Sequence, residues 1–154
     1  MIPHIIQILM GAIGSVGFAV LFHVQGKRLI LFFLGGALAW SVYLFTTHHG
    51  GSMFLGVLLA TMTAALCSEV LARVIHTPVL IMLVPMLVPL IPGGDLYRSM
   101  DALVRGEKAP SISYGVSAIT VAGAICLGII CMTALFQMIF SIWEHIRKHI
   151  SCKH

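Results

Sequence analysis

Residues 85–100 read PMLVPLIPGGDLYRSM, and this stretch decides how the chain folds. An apolar run here contains three prolines and is followed by two glycines: Pro85, Pro89, Pro92, Gly93 and Gly94. Proline has no amide hydrogen, and its ring clashes with the carbonyl four residues back, so a helix breaks or kinks there. The carbonyls expected to be released are those of Ile81, Pro85 and Val88. The stretch therefore predicts a helix that ends near Ile91 and a second helix that starts near Asp95, which is a good N-cap residue.

The composition indicates the medium in which this break occurs. Of 154 residues, 59% are hydrophobic and 9% are charged, whereas soluble domains carry roughly a quarter charged residues. The sequence is therefore that of an integral membrane protein. In hydrocarbon an unpaired backbone group costs several kcal/mol, so the released carbonyls must meet water, protein donors or a ligand. The net charge of +4 is not organised as a basic patch with stacking aromatics, which argues against nucleic-acid binding.

Apolar runs of membrane-spanning length predict an all-α polytopic bundle in a single domain, residues 1–154. A spanning helix needs about 20 mostly apolar residues. The predicted spans are residues 5–24, 29–45, 53–74, a broken span at 78–92, and 113–143. The run at 78–92 is short for a straight crossing. It either crosses together with the following helix, which gives about five spans, or returns to its starting side, which gives four.

Positive charges set the expected orientation, because Lys and Arg are enriched in cytoplasmic loops. With five crossings, six such residues share one side: Lys27, Arg28, Arg73, Arg147, Lys148 and Lys153. The other three Lys and Arg residues lie on the opposite side. With four crossings, the nine residues again divide six against three. The rule does not choose between these counts. We favour five spans in the cytoplasmic (inner) membrane, with the N-terminus outside and the C-terminus cytoplasmic.

Two further patterns concern packing. Leu96, Met100, Leu103 and Val104 recur at helical spacing, which predicts an amphipathic helix lying on the membrane or packed against the bundle. Small residues, including Gly11, Gly14 and Gly17 in the first span, allow helices to approach closely. Their primary interpretation is helix packing, and the alternative is a helix that moves or lets a solute approach its backbone.

Polar side chains inside the spans are few. Glu69 is the only carboxylate within an apolar run, and such groups mark a solute pathway, a proton relay or an ion pair. Arg73 lies four residues on, so the two alternatives are a local ion pair and a proton-coupling acid. The hydroxyls of Thr61, Thr63 and Ser68 are expected to bond to their own helix backbone.

Enzyme chemistry has no support in the sequence. The four cysteines, Cys67, Cys126, Cys131 and Cys152, form no CxxC pair and are interpreted as small buried hydrophobes. No metal-ligand spacing, catalytic triad or nucleotide-binding loop is present. We expect no enzymatic activity, no metal and no cofactor. No ATP-binding motif is found, so any movement of a solute across the membrane would be driven by a gradient, most simply of protons.

PMLVPLIPGGDLYRSM resembles the signature of the threonine/serine exporter family, in its small integral-membrane half. GSVGFAVLFHVQGKRL, residues 14–29, resembles that family's first span and basic loop. The resemblance implies a subunit that exports threonine or serine, or in some members a dicarboxylate such as succinate. It also implies a larger integral-membrane partner. The alternative is a scaffold subunit with no solute site of its own.

Discontinuous helices near the middle of the membrane are where many secondary transporters bind polar solutes. The expected solute site therefore combines the carbonyls around Pro85, Pro89 and Pro92 with the amides of Gly93, Gly94 and Asp95. The side chains of Tyr97 and Arg98 complete it, and Glu69 is the candidate for proton coupling.

Overall fold

The computed structural model describes the backbone of residues 2–151 and the side chains of residues 4–141. Within that part of the chain there are six α-helices and no strand, as predicted. The helices are α1 (Ile2–Leu21), α2 (Leu29–His48), α3 (Met53–Ile75), α4 (Val79–Leu87), α5 (Gly93–Val104) and α6 (Lys108–Ser151). Two 3₁₀ turns lie at Gly26–Arg28 and Val88–Leu90. The predictions about the tail fall on Trp143, Arg147, Lys148, Cys152 and Lys153, which lie outside the described side chains.

Local signals explain the helix ends. Helix α1 ends before the predicted residue 24 because His23 adopts a left-handed conformation, with φ of 60°. The amide of His23 donates to the Val20 carbonyl, and that of Val24 donates to the Ala19 carbonyl, which is the Schellman pattern that closes a helix. Helix α3 begins at the N-cap Ser52, whose side chain accepts from the amide of Leu55.

The direction of each helix follows from contacts between side chains. The ring of His4 lies 6.0 Å from that of His48, so α1 begins where α2 ends. Helix α6 runs parallel to α3, because Ser117 contacts Met53 and the Phe136 ring lies under Arg73. We name the two ends of the bundle the Met53 end and the Ile75 end, after the first and last residues of α3.

Helices α4 and α5 connect the end of α3, at the Ile75 end, to the start of α6, at the Met53 end. Helix α4 starts at the Ile75 end, and Pro89 beyond it lies against Gly14 near the middle of α1. The segments Val79–Leu90 and Gly93–Val104 meet at an angle of 52°. Four described helices are long and apolar enough to cross a membrane alone, and the bent pair makes a fifth if it is counted as one span.

Helix α5 folds back along the start of α6. The hydroxyl of Ser99 donates to the carbonyl of Ser111, and the hydroxyl of Ser111 donates to the carbonyl of Ser99, both at 2.9 Å. The predicted amphipathic helix is therefore present and packs on the bundle. Its apolar residues Leu96, Met100, Leu103 and Val104 are all more than half exposed. Helix α6 begins at Lys108, whereas the last span was predicted to start at Ser113. The residues just before the predicted span are therefore helical as well.

Small residues build the interior. Ten of the 18 buried hydrophobic residues in the described part of the chain are alanines. Gly11 lies against the Trp40 indole, Gly36 against Ser15, and Gly128 against Thr61 and the Leu58 carbonyl. These contacts support helix packing as the role of the small residues, because a methyl group at Gly36 or Gly128 would collide with its neighbour and one at Gly11 would press tightly on Trp40. A methyl group at Gly17 would meet nothing within 4 Å.

Candidate functional site

A cavity of about 170 Å³ lies where the chain breaks between α4 and α5. One wall is the broken segment itself, from Pro89 to Pro92 together with Gly94 and Asp95. The other walls come from α2, α3 and α6, and include Trp40 and Tyr43. We call this space the broken-helix cavity. It lies in the half of the bundle nearer the Met53 end, since Met53 also lines it.

Asp95 supplies the negative charge of the cavity. Its Oδ2 accepts a hydrogen bond of 2.7 Å from the hydroxyl of Ser117 in α6. The other carboxylate oxygen has no hydrogen-bond partner among the described residues. The side chain is half-buried. A half-buried carboxylate with one unpaired oxygen is suited to accept from an ammonium group.

The start of α5 supplies backbone donors. Gly93 donates to the Ile91 carbonyl at 2.8 Å, and Leu96 donates to the Pro92 carbonyl at 3.1 Å. In the described part of the chain the amides of Gly94 and Asp95 have no acceptor. Free amides at a helix N-terminus attract anionic groups. The site therefore places donors and a carboxylate beside each other.

Three details of the predicted break are wrong. Helix α5 starts at Gly93 with Pro92 as its N-cap, because the two glycines take helical geometry and do not separate the two helices. Asp95 is not the N-cap. It lies within the first turn, and its carboxylate bonds to Ser117 instead. The Val88 carbonyl, expected to be released by Pro92, accepts from the amide of Ile91 at 3.2 Å, because the chain tightens into a 3₁₀ turn there.

Trp40 was not identified from the sequence. Its indole packs on Gly11, about 3.3 Å from where a Cβ would be, and lies against Tyr43. Its Nε1 is buried and has no hydrogen-bond partner, although a buried indole N–H usually finds one. The signal in the sequence was its position inside an apolar span, away from the interface where Trp is enriched. Ser117 carried no such signal.

Only some of the predicted site residues line the broken-helix cavity. Pro89, Pro92, Gly94 and Asp95 line it, whereas Pro85 is buried within α4. Gly93, Tyr97 and Arg98 do not line it. Tyr97 is 73% exposed, and the Arg98 guanidinium lies 5.9 Å from the Tyr114 ring.

Glu69 lies at the other end of α3. Val57 lines the cavity, and Glu69 is twelve residues further along, which is about 18 Å at the rise of an α-helix. Glu69 is buried and its carboxylate lies 3.6 Å from the Arg73 guanidinium, which confirms the predicted ion pair. Arg73 in turn stacks on Phe136 and Phe140 of α6.

The span hydroxyls agree with the prediction except at one position. Thr63 donates to the Leu59 carbonyl and Ser68 donates to the Ala65 carbonyl, both at 2.8 Å. Thr61 is the exception, because its buried hydroxyl has no partner in the structure. It lies where α6 comes closest to α3, at Gly128.

An all-α bundle of helices long and apolar enough to span a membrane, with a bent helix pair beside a cavity, defines a polytopic membrane protein. The sequence profile of the family described as threonine/serine exporter, ThrE, matches residues 7–135. That range includes every residue that lines the broken-helix cavity and most of the apolar part of α6. The chain belongs to this family, and its activity is accordingly transport of the threonine/serine exporter type. Comparisons with curated proteins and with solved structures returned no match.

Proposed function

We propose that this chain is the small subunit of a secondary transporter that exports threonine or serine together with a larger integral-membrane partner. The whole chain, residues 1–154, acts as a single domain in the cytoplasmic (inner) membrane. Its N-terminus lies outside and its C-terminus lies in the cytoplasm. The observation that carries the proposal is the broken-helix cavity, where a carboxylate and free helix amides share the wall with Trp40, whose indole N–H has no partner.

These groups match an amino acid. The ammonium group of the solute pairs with the free oxygen of Asp95, and its carboxylate meets the amides of Gly94 and Asp95 or the indole N–H of Trp40. The volume of about 170 Å³ is below the roughly 300–1,000 Å³ of pockets for drug-sized ligands. A solute of a few heavy atoms is therefore the appropriate size.

The other proposed residues act on the break or beside it. Pro85, Pro89 and Pro92 prevent one continuous helix, and Gly93 starts α5. Tyr97 and Arg98 lie on the exposed side of α5, so they contact solute only where the partner closes over that side. Glu69 is proposed to couple export to protons at the Ile75 end, while its ion pair with Arg73 gives it an alternative structural role.

A dicarboxylate such as succinate is the second candidate solute. It would place two negative groups beside Asp95, so the charge of the cavity favours an amino acid. A scaffold role without a solute site is the remaining alternative. It is compatible with the exposed apolar side of α5, which offers area to a partner.

The test is efflux of labelled threonine, serine and succinate from cells that express the chain and its partner, together and separately. Asp95→Asn keeps the acceptor for Ser117 and removes the charge. We expect threonine efflux to fall about tenfold or more, since a hydrogen bond to a charged group contributes roughly 1.5–3 kcal/mol. Asp101→Asn, on the same helix but in an exposed pair with Arg105, is the matched control and should change efflux little.

The outcomes separate the alternatives. Efflux that Asp95→Asn leaves intact at normal abundance of both subunits would remove the cavity from the solute path and favour the scaffold. Succinate efflux that exceeds threonine efflux would favour the dicarboxylate. In the same assay, Glu69→Gln should abolish the dependence on the proton gradient. An unchanged pH dependence would leave Glu69 with only its ion-pair role.

A further inference from the structure

A second polar cavity lies at the opposite end of the bundle. Its volume is about 490 Å³, and it is bounded by the turn after α1, the 3₁₀ turn before α2, and the start of α4. The lining residues with polar side chains are His23, Gln25, Arg28 and Thr77. We call this space the Arg28 cavity. It lies at the Ile75 end, because Thr77 follows α3 directly.

The charge of this cavity is positive and uncompensated. None of the residues that line it is acidic. Arg28 forms no ion pair with any described residue, and the nearest carboxylate along α3, Glu69, is held by Arg73. An arginine presents a rigid set of donors that matches a carboxylate or a phosphate. The Arg28 cavity therefore contains a guanidinium group that no carboxylate of the described residues neutralises.

Two further features of the cavity wall favour an anion. The hydroxyl of Thr77 is buried and has no hydrogen-bond partner in the described structure. Helix α4 begins two residues later with no side-chain cap at Pro78. Its first turn, which includes Ile81, forms part of the same wall. The positive end of the α4 dipole thus lies on the same cavity as Arg28.

We propose that the Arg28 cavity binds one anionic group, a carboxylate or a phosphate, held by Arg28 with the Thr77 hydroxyl. The group belongs either to a small solute or to an anionic lipid headgroup at the membrane surface. In the first case this cavity is a binding site for the exported solute at the other end of α4 from the broken-helix cavity, which rests on the proposed function. In the second case it is a lipid site that is independent of export.

Purified full-length chain in lipid nanodiscs tests the proposal by its thermal unfolding. One arm uses neutral phosphatidylcholine with added threonine, succinate or inorganic phosphate. The other arm replaces part of the lipid with phosphatidylglycerol and adds no solute. We expect an anion in one arm to raise the Tm of the wild type by several degrees at saturation.

Arg28→Gln should lose that shift, whereas Lys27→Gln should keep it. Lys27 is the matched control, because it carries the same charge in the same turn but does not line the cavity. Thr77→Val, which keeps the shape of the side chain, should weaken binding about tenfold, as expected for loss of one hydrogen bond to a charged group.

The result that would overturn the proposal is clear in either arm. If no anion stabilises the wild type, or if Arg28→Gln and Lys27→Gln lose the same shift, the cavity binds no specific anion. A shift with threonine or succinate in neutral lipid that Arg28→Gln removes identifies a solute, and a shift only with phosphatidylglycerol that Arg28→Gln removes identifies a headgroup. A threonine shift that Arg28→Gln keeps would overturn the proposal and point to the Asp95 site instead, so failure here is distinct from failure of the export proposal.

Discussion

Asp95 and Trp40 are the two side chains that give the broken-helix cavity its chemistry. Asp95 is held in place through one oxygen by Ser117, so its position is fixed while its charge stays available. Trp40 is held by close packing on Gly11, and its N–H remains unpaired. Leaving a buried donor unpaired costs about 1–3 kcal/mol. We propose that a solute in the broken-helix cavity accepts from Trp40 and so recovers that cost.

Close contact at Gly128 is the basis of a stability prediction. A methyl group there would lie 2.9 Å from Thr61 Cβ and 3.0 Å from the Leu58 carbonyl oxygen, so α3 and α6 must separate. We expect Gly128→Ala to lower the free energy of unfolding by about 1–3 kcal/mol, the usual cost of overpacking. Thermal unfolding in detergent measures it.

Gly123→Ala is the control on the same helix, because a methyl group at Gly123 meets nothing within 4 Å. Alanine is the better helix former, so this variant should be neutral or more stable by up to about 1 kcal/mol. Equal destabilisation by both substitutions would show that α6 does not pack on α3 as described.

At the scale of single residues, the sequence predicted those parts of the cavity that lie in one continuous stretch. Pro89, Pro92, Gly94 and Asp95 are neighbours in the chain, and their chemistry is visible there. Trp40 and Ser117 come from α2 and α6, and only packing brings them to the cavity. Tyr97 and Arg98 share the stretch with Asp95, but helical rotation turns them away from the cavity.

The break between α4 and α5 is the element on which the topology depends. Its existence was predictable because three prolines remove three amide donors from one short run. Its detailed geometry was not, because Pro92 and the two glycines were compatible with either a gap or a helix start. The number of crossings was also not predictable from charge, since four and five spans gave the same split. The contacts of α4 at the Ile75 end and of Asp95 with Ser117 near the Met53 end were needed to show that the bent pair runs between the two ends.

A prediction about the termini follows from the direction of these elements. Helix α1 begins at the Met53 end, and α6 runs from the Met53 end towards the Ile75 end, so the start of α1 and the end of α6 lie towards opposite ends of the bundle. We expect reporter fusions to show the N-terminus outside and the C-terminus in the cytoplasm. Fusions that report both termini on the same side would mean that α4 and α5 do not cross together.

The molecule as a whole has a narrow interior of small residues, a wide apolar surface and two polar cavities at opposite ends of α4. Such a surface suits lipid over most of its area, because many of its large apolar residues are exposed. The polar cavities are the places where we propose that a hydrophilic solute meets the chain. A transport path along α4 would connect them, with the partner covering what this subunit leaves open.

The most direct test of a solute path at the break is protection of a cysteine at Gly94 by threonine. Gly94→Cys in a chain freed of its own cysteines places a thiol on the cavity wall, and Gly93→Cys places one beside it but off the wall. Membranes that contain both subunits are treated with a water-soluble thiol reagent. We expect threonine to slow modification of Cys at position 94 and not at position 93. Equal rates at position 94 with and without threonine, in membranes that still export it, would contradict the account.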